Sequence, residues 1–272
     1  MGMKPFELIE GVRIIKPLIH HITNYVTVND CANITLAIGA SPIMADAIEE
    51  AADIASISSA VVLNMGTLNA RTIPSMIAAG KAANERGIPV VFDPVGAGAS
   101  KYRNETVATI VKEVRFSVIR GNVSEIRYLA GLQADTKGVD AAQSDMISLR
   151  EAKHIAQSLA LQLKCIIAIT GATDIVSDGD KVVCIENGHE MLSNLTGTGC
   201  MCSSLIGSYC GAAVKDAFCA TVAALLSMGI AGEIAYEKAG ACGNGSFRAA
   251  LHDAVSRMDK ETMEKRGHFY EA

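Results

Sequence analysis

Short, continuous apolar runs alternate with segments that have the spacing of amphipathic helices, and this alternation limits the folds open to the chain. The clearest runs cover residues 60–63, 89–92, 117–119 and 165–169. A strand that is apolar at every position is buried on both faces, and such strands separated by helices are typical of a parallel sheet. The alternation therefore predicts an α/β three-layer sandwich, with a mostly parallel central sheet and helices on both faces.

Two parts of the chain depart from this alternation. Residues 174–185 hold two β-rich segments joined through Asp178-Gly179, which is typical of a hairpin. The pattern after residue 200 is helical, except for a charged last dozen residues that we expect to fray. The helical patterns cover residues 6–14, 29–38, 49–58, 73–86, 103–115, 147–163, 200–211, 215–235 and 246–258, and a further β-rich run covers residues 17–22.

Composition and charge exclude several classes of protein. Half of the 272 residues are hydrophobic, and no repeat or linker divides them, so we expect residues 1–272 to form one domain. The net charge is −5 with dispersed basic residues, whereas a nucleic-acid surface needs clustered Lys and Arg. The N-terminus lacks the apolar region of a signal peptide, and the most apolar stretch, residues 220–235, contains Glu233. That stretch is predicted to be a buried helix, so we expect neither a nucleic acid nor a membrane as partner.

The eight cysteines are irregularly spaced, and no Cys-x-x-Cys motif occurs. Most of them lie inside apolar runs, which favours reduced, buried thiols over disulfides or zinc ligands. This usage is typical of a cytoplasmic protein.

Polar residues follow the predicted strands at the point where each strand ends. In an open parallel sheet, ligands bind beyond the carboxyl ends of the strands. Ordinary loop polarity or helix capping explains any one such residue, but several at one sheet edge favour a binding site. The residues concerned are Asn24, Asn64, Asp93, Arg120, Asn122 and Thr170.

A glycine-rich stretch, Ser193-Asn194-Leu195-Thr196-Gly197-Thr198-Gly199-Cys200, leads into a helical pattern. Its two glycines allow a tight turn, and the helix that follows leaves its first N–H groups unpaired at the positive end of its dipole. These features indicate an anion site, and the usual biological anion is phosphate. The alternative is a helix start capped by Thr196 or Thr198, and the stretch alone does not separate the two.

Two carboxylates stand near this edge. Asp93 closes a buried strand and Glu125 follows Arg120-Gly121-Asn122, so both are candidates to face a Mg²⁺ ion that carries phosphate. Arg120 offers a planar fork for phosphate oxygens. The alternative for Glu125 is an acidic residue placed at a helix start by the dipole.

Three nucleotide-binding motifs are excluded. The chain has no G-x-x-x-x-G-K-[ST] and no protein-kinase signature. Gly96-Ala97-Gly98 follows a strand, but Lys101 stands where a dinucleotide fingerprint needs its third glycine.

Five motifs, in order along nearly the whole chain, resemble those of the hydroxyethylthiazole kinases. They are Pro17-Leu18-Ile19-His20-His21-Ile22-Thr23-Asn24, Gly39-Ala40-Ser41-Pro42-Ile43-Met44-Ala45, Asp93-Pro94-Val95-Gly96-Ala97-Gly98, Arg120-Gly121-Asn122-x-x-Glu125 and Thr196-Gly197-Thr198-Gly199-Cys200. The resemblance implies the ribokinase-like fold. It also implies transfer of the γ-phosphoryl group of ATP to the primary alcohol of 4-methyl-5-(2-hydroxyethyl)thiazole, in thiamine salvage.

The resemblance also implies a role for each matching residue. Thiazole binding is expected at Asn24, Met44 and Gly197. Contacts with ATP are expected at Arg120, Asn122, Thr170 and Gly199, and Mg²⁺ is expected at Asp93 and Glu125, directly or through water. A homotrimer with thiazole sites at subunit interfaces is implied in the same way.

Cys200 is the residue expected to face the acceptor hydroxyl. In most ribokinase-like enzymes the matching position is Asp, which takes the proton of the acceptor. A thiol at a helix N-terminus can have a lowered pKa and act as a base, but phosphoryl transfer depends mainly on positioning and charge. We therefore interpret Cys200 first as a residue that positions the acceptor and second as a base. A buried cysteine with no role is the alternative.

Other functions are open at this point. Another ribokinase-like kinase or a nicotinamide-nucleotide repair dehydratase would keep the fold, although Asn24 and Met44 argue against both. A hydrolase or transferase with Cys200 as nucleophile needs a histidine base, and only His20 and His21 lie in a strand-end region. A nucleotide sensor without catalysis is disfavoured by the two carboxylates.

Overall fold

A single sheet of nine strands runs through the part of the chain that the computed structural model describes, residues 4–131 and 148–272. The strands are β1 (Leu18–Ile22), β2 (Ser41–Met44), β3 (Ala60–Asn64), β4 (Val90–Asp93), β5 (Val118–Asn122), β6 (Ile166–Thr170), β7 (Asp174–Ser177), β8 (Val182–Ile185) and β9 (Phe269–Glu271). Their order in the sheet is β2-β1-β3-β4-β5-β6-β7-β8-β9. Strands β1 to β6 are parallel to one another, whereas β7, β8 and β9 each pair antiparallel with the preceding strand.

Helices cover both faces of this sheet. They are α1 (Leu8–Ile15), α2 (Val28–Ile38), α3 (Ile48–Ile57), α4 (Thr72–Glu85), α5 (Lys101–Glu113), α6 (Val123–Leu129), α7 (Leu149–Leu163), α8 (Thr198–Ala212), α9 (Ala217–Ala239), α10 (Asn244–Arg257) and α11 (Lys260–Arg266). One face carries α1, α2 and α8 to α11, and the other carries α3 to α7. The predicted three-layer sandwich with a mostly parallel sheet is confirmed.

Alternate residues of the central strands enter two separate cores. In β3, Val62 packs with the layer that contains α8 and α9, whereas Val61 and Leu63 pack with the layer of α3 to α7. All three side chains are fully buried, and burial of each contributes roughly 1.5–3 kcal/mol. This two-sided burial is the reason why the strand sequences are apolar at every position.

Several boundaries differ from the sequence prediction for local reasons. The apolar pair at residues 43–44 is too short to predict a strand from the sequence, yet β2 forms there by pairing with β1. The strand predicted over residues 117–119 extends to Asn122, because Arg120 and Gly121 continue the pairing with β6. The helix predicted from residue 147 begins at Leu149, where the Ser148 hydroxyl accepts the backbone N–H of Glu151; residue 147 itself lies outside the described residues. The hairpin predicted at residues 174–185 is confirmed.

The expectation that the last dozen residues fray is wrong. Asp259 caps α11 by accepting the backbone N–H of Thr262, and Met263 is fully buried. Strand β9 then pairs with β8 and covers the edge of the sheet. At least one of the charged residues, Arg266, forms an ion pair with Glu237 of α9, so charge in this segment does not mark a free end.

The longest helix is also the most apolar. Among the described residues, one helical stretch, Ala217–Cys242, is long and apolar enough to cross a membrane, and 78% of its most apolar part is buried inside the protein. A helix that is apolar on every side needs such surroundings. The predicted buried helix is therefore confirmed.

Candidate active site

Three polar side chains meet where adjacent parallel strands end. Asn24 follows β1, Asn64 ends β3, and Asp93 ends β4, with Asn64 and Asp93 in register. The Asn24 amide donates to Asn64 Oδ1 at 2.9 Å, and the Asn64 amide donates to Asp93 Oδ2 at 2.8 Å. The convergence predicted for the strand ends thus includes a continuous row of hydrogen bonds across three strands.

Asp93 is the most deeply buried carboxylate of this group, with no exposed surface. Its Oδ2 accepts hydrogen bonds from Asn64 and from the Ser203 hydroxyl, the latter at 2.8 Å, and lies 3.5 Å from Arg120 Nη1. Its Oδ1 is buried and has no hydrogen-bond partner among the described residues. Burial raises the pKa of Asp93, against the opposing charge of Arg120. The free oxygen indicates that the carboxylate can take a further ligand.

Arg120 lies within β5 and reaches across to its neighbours. One guanidinium nitrogen, Nη2, donates to the Thr170 hydroxyl at the end of β6, and Nη1 faces Asp93. Burial disfavours the charge, but the acidic groups around the guanidinium, Asp93 first and then Cys202 and Glu125, together hold the pKa of Arg120 above its usual value. A Cβ at Gly199 would lie 2.5 Å from Nη1, so only glycine lets the guanidinium approach the start of α8 this closely. The cation is therefore fixed at the helix N-terminus.

The start of α8 is not capped by a side chain. Its N-cap is Gly197 at φ 93°, and the Thr198 hydroxyl donates to Leu192 O at 3.1 Å instead of capping the helix. The alternative that Thr196 or Thr198 caps this helix is therefore wrong. The left-handed conformation of Gly197 turns the chain so that the first N–H groups of α8 face the strand ends. These groups and Arg120 form the kind of environment that binds phosphate.

Cys200 is the third residue of α8. Its sulfur accepts hydrogen bonds from the Asn24 and Asn64 amides, at 3.3 Å each. Burial, followed by the charge of Asp93, raises the pKa of Cys200. The suggestion that the helix N-terminus lowers this pKa is wrong, because desolvation and a neighbouring carboxylate outweigh the dipole. The thiol is protonated at neutral pH.

Glu125 lies in the first turn of α6. It forms a capping box with Asn122: the Asn122 side chain accepts the N–H of Glu125 at 2.9 Å, and Glu125 Oε2 accepts the N–H of Asn122 at 2.8 Å. Its Oε1 accepts the N–H of Gly96 at 2.7 Å. Burial and, second, Asp93 raise the pKa of Glu125 to about 7. The helix-start alternative is therefore present in the structure, and each oxygen keeps a second lone pair for a water.

Met44 occupies a different place from the other predicted residues. It ends β2, the edge strand, and lies in register with His21 of β1. Its side chain is half-buried. The structure therefore puts Met44 at the same edge of the sheet as Asn24, one strand further out.

Sequence reasoning missed two residues that organise this site. Ser203 lies one turn after Cys200 on α8, a spacing that puts both on one helix face, and this spacing was the available signal. Arg103 of α5 donates to Met65 O and Val95 O at 2.6 Å each, and to Gly66 O at 2.7 Å. It joins the loops after β3 and β4, and no local pattern indicates this role.

The two histidines of β1, His20 and His21, have hydrogen-bond partners other than Cys200. His20 Nε2 donates to Ala45 O at 2.7 Å, and His21 Nε2 lies 3.3 Å from the Thr35 hydroxyl. Burial lowers the pKa of His21 to about 3, so this ring is neutral. With these partners, neither histidine is placed to act as the base that a cysteine hydrolase or transferase requires.

Comparison with known proteins bears on the identity of this site. The model of the hydroxyethylthiazole kinase family matches residues 9–261. The chain is 61% identical to a hydroxyethylthiazole kinase from Ruminiclostridium cellulolyticum over 97% of this chain and 96% of that one, and 59% identical to one from Clostridium beijerinckii with the same coverage. The solved structure of a hydroxyethylthiazole kinase from Pyrococcus horikoshii matches with a TM-score of 0.89, 38% identity and 98% coverage of both chains.

A more distant structure shows the fold alone. The pyridoxal kinase from Staphylococcus aureus, in complex with pyridoxal, matches with a TM-score of 0.60 and 15% identity over 80% of this chain and 88% of that one. The ribokinase-like fold implied by the sequence motifs is confirmed by these neighbours.

Proposed function

The chain belongs to the hydroxyethylthiazole kinase family, and from this premise we propose how its residues transfer the γ-phosphoryl group of ATP to the hydroxyl of 4-methyl-5-(2-hydroxyethyl)thiazole. The products are the thiazole phosphate and ADP, which serves thiamine salvage or biosynthesis. The observation that carries the proposal is the meeting of Arg120, a carboxylate with a free oxygen and the uncapped start of α8 at one point. Phosphoryl transfer requires such an arrangement of positive charge and donors around the moving group.

We assign the phosphates of ATP to the side of the site formed by β5, β6 and α8. Arg120 and Thr170 are already hydrogen-bonded to each other, so their donors are held in place before ATP arrives. Gly199 leaves room for the guanidinium beside the N–H groups of α8. Asn122 lies in register with Thr170 and is assigned to the same ligand.

A magnesium ion fits the donors present. Among the described residues, no group of three or more His, Cys, Asp or Glu is arranged to hold a metal alone. Mg²⁺ usually uses one or two carboxylates and keeps waters and phosphate oxygens as its other ligands. Asp93 Oδ1 is a buried oxygen that has no hydrogen-bond partner among the described residues. Both oxygens of Glu125 accept backbone N–H groups, which suits contact with the ion through water. When bound, the ion would offset the developing charge on the phosphates.

The acceptor alcohol is assigned to the side of β1, β2 and the Gly197 turn. Asn24, Met44 and Gly197 supply this wall, and Cys200 stands between it and the phosphates. Because the thiol is protonated, it can hold the acceptor hydroxyl by a hydrogen bond but does not act as a base in this form. Positioning is therefore the role that we propose for Cys200.

Substitution of Cys200 tests this role. Cys200→Ser should keep most of the activity, since a hydroxyl has nearly the same size and also donates. Cys200→Ala should lose about 10-fold in kcat, less than the ~10²–10⁴-fold that general-base catalysis supplies. Steady-state kinetics measure both. Loss of all turnover in Cys200→Ser, or an adduct with substrate on Cys200 in the intact mass, would favour covalent catalysis instead.

We further propose a homotrimer with thiazole sites at the subunit interfaces, as the family resemblance implies. Tyr25 and Val26 directly follow Asn24 and are 79% and 57% exposed. Large apolar side chains beside a binding residue suit an interface that completes the pocket. Light scattering at micromolar concentration should give three times the mass of the chain, and a monomer would contradict the proposal. Tyr25→Asp should shift the mass toward the monomer and raise the KM for the alcohol.

We also infer a cytoplasmic location and a single domain. Six of the eight cysteines are free, buried thiols, which suits the cytoplasm. The continuous sheet supports treating residues 1–272 as one kinase domain.

A panel of acceptor alcohols with ATP tests which substrate is used. The thiazole alcohol should be phosphorylated, and pyridoxal should react far more slowly.

A further inference from the structure

We propose that Asn64 is a positioning residue of this reaction, whose side-chain amide joins the Asp93 carboxylate to the Cys200 sulfur and so sets which atoms of both face the reactants. The inference rests on the function proposed above, since it gives Asn64 a part in that transfer. The row of hydrogen bonds from β1 to β4 carries the argument.

The orientation of the Asn64 amide is fixed by a donor that cannot reverse its role. Asn64 Oδ1 accepts the backbone N–H of Gly66 at 2.9 Å, and a backbone N–H only donates. Nδ2 therefore points the other way, to Asp93 Oδ2 at 2.8 Å and to Cys200 Sγ at 3.3 Å. The residue is 2% exposed, so water competes little for these bonds.

The Asn24 amide is oriented in the same way and also donates to the Cys200 sulfur. Its Oδ1 accepts the backbone N–H of Thr27 at 3.0 Å, so its Nδ2 faces Asn64 Oδ1 and Cys200 Sγ. The sulfur thus receives two N–H donors, which occupy its lone pairs. The S–H of Cys200 is therefore directed away from the two amides, toward the side where the Thr27 hydroxyl lies and where we place the acceptor alcohol. This direction is what a positioning role for Cys200 needs.

On Asp93 the amide of Asn64 acts together with Ser203. Both donate to Oδ2 at 2.8 Å, whereas Oδ1 has no partner among the described residues. Two donors on one oxygen fix the carboxylate and direct the other oxygen to the ligand side. Ser203 bonds to Asp93, but Asn64 bonds to both Asp93 and Cys200, so Asn64 is the residue that sets their relative position.

The test compares Asn64→Leu with Asn187→Leu. Leucine has nearly the shape of asparagine but no donor. Asn187 is the matched control, because it is also buried and donates to Glu233 and to Arg266 O, at 2.8 Å each. Both variants should have a lower Tm. Asn64→Leu alone should lower kcat by about 10-fold or more, with the KM for ATP within about threefold of the parent value.

A second readout needs no turnover. Iodoacetamide labels the ligand-free protein, and peptide mass spectrometry follows Cys200. N–H donors on the sulfur stabilise the thiolate, which is the reactive form, so Asn64→Leu should slow the labelling of Cys200 several-fold. Asn187→Leu should leave it unchanged. Should Asn64→Leu not fold, Asn64→Ala is tested instead, because it also removes both donors and its side chain is smaller.

Three results would overturn the inference. They are a kcat of Asn64→Leu within about twofold of the parent, an equal loss in Asn187→Leu, and an unchanged labelling rate at Cys200. If the parent protein itself does not phosphorylate the thiazole alcohol, the proposed function fails, and the labelling comparison still decides whether Asn64 holds the sulfur.

Discussion

Asp93→Asn is expected to lower kcat by roughly 10²–10³-fold while the protein stays folded. Asn64 and Ser203 both donate to Asp93 Oδ2, so the amide oxygen of the new asparagine takes that place. Its NH₂ group then occupies the position of Oδ1, the oxygen that has no partner in the part of the chain that the structure describes. A donor would point at the metal and phosphates where an acceptor is needed. Kinetics over a range of Mg²⁺ concentrations measure the loss, which should be largest at limiting Mg²⁺.

Asp216→Asn is the matched control for this change. Asp216 caps α9 by accepting the N–H of Cys219 at 3.0 Å, and asparagine is an equally good N-cap, so activity and stability should be unchanged. Parental activity of Asp93→Asn at limiting Mg²⁺, together with parental activity of Glu125→Gln, would contradict the metal assignment.

Arg120→Met is expected to lower both activity and stability. It removes the cation assigned to the phosphates, which should cost about 10²–10³-fold in kcat. It also leaves Asp93 buried without its ion-pair partner at 3.5 Å, which should reduce the free energy of unfolding by about 3–5 kcal/mol. Enzyme kinetics and urea denaturation measure the two effects separately.

The double variant Arg120→Met with Asp93→Asn separates the two roles. With the Asp93 carboxylate removed, the buried charge that Arg120→Met leaves without its ion-pair partner is also removed, so the double variant should regain much of the stability that Arg120→Met loses. It should regain no activity, since both phosphate-side groups are missing. A double variant as unstable as the sum of the single changes would show that the ion pair is not the source of the loss.

The positions of the site residues could be predicted because they follow from the pattern of the strands. Once the apolar runs are interpreted as parallel strands, the residues after them, such as Asn24, Asn64 and Asp93, must share one edge of the sheet. The start of α8 could be predicted equally well, because the left-handed conformation at its N-cap favours glycine and the sequence has Gly197 there.

The interactions between distant elements could not be predicted in the same way. The bond from Ser203 to Asp93 depends on how α8 lies on the sheet, and the pairing of β9 with β8 joins segments far apart in the sequence. The pKa of Cys200 was misjudged for a related reason. The helix N-terminus is local and visible in the sequence, whereas burial and the charge of Asp93 arise from packing.

We claim that this site phosphorylates the thiazole alcohol with ATP. The most direct test is a coupled assay of ADP release by the purified protein with ATP, Mg²⁺ and 4-methyl-5-(2-hydroxyethyl)thiazole, with the thiazole phosphate identified by mass spectrometry. We predict ADP release that requires both the alcohol and Mg²⁺, one thiazole phosphate per ADP, and a rate reduced about 10²–10³-fold in Asp93→Asn. ADP release that is independent of the alcohol, or no thiazole phosphate from a folded protein, would contradict the claim.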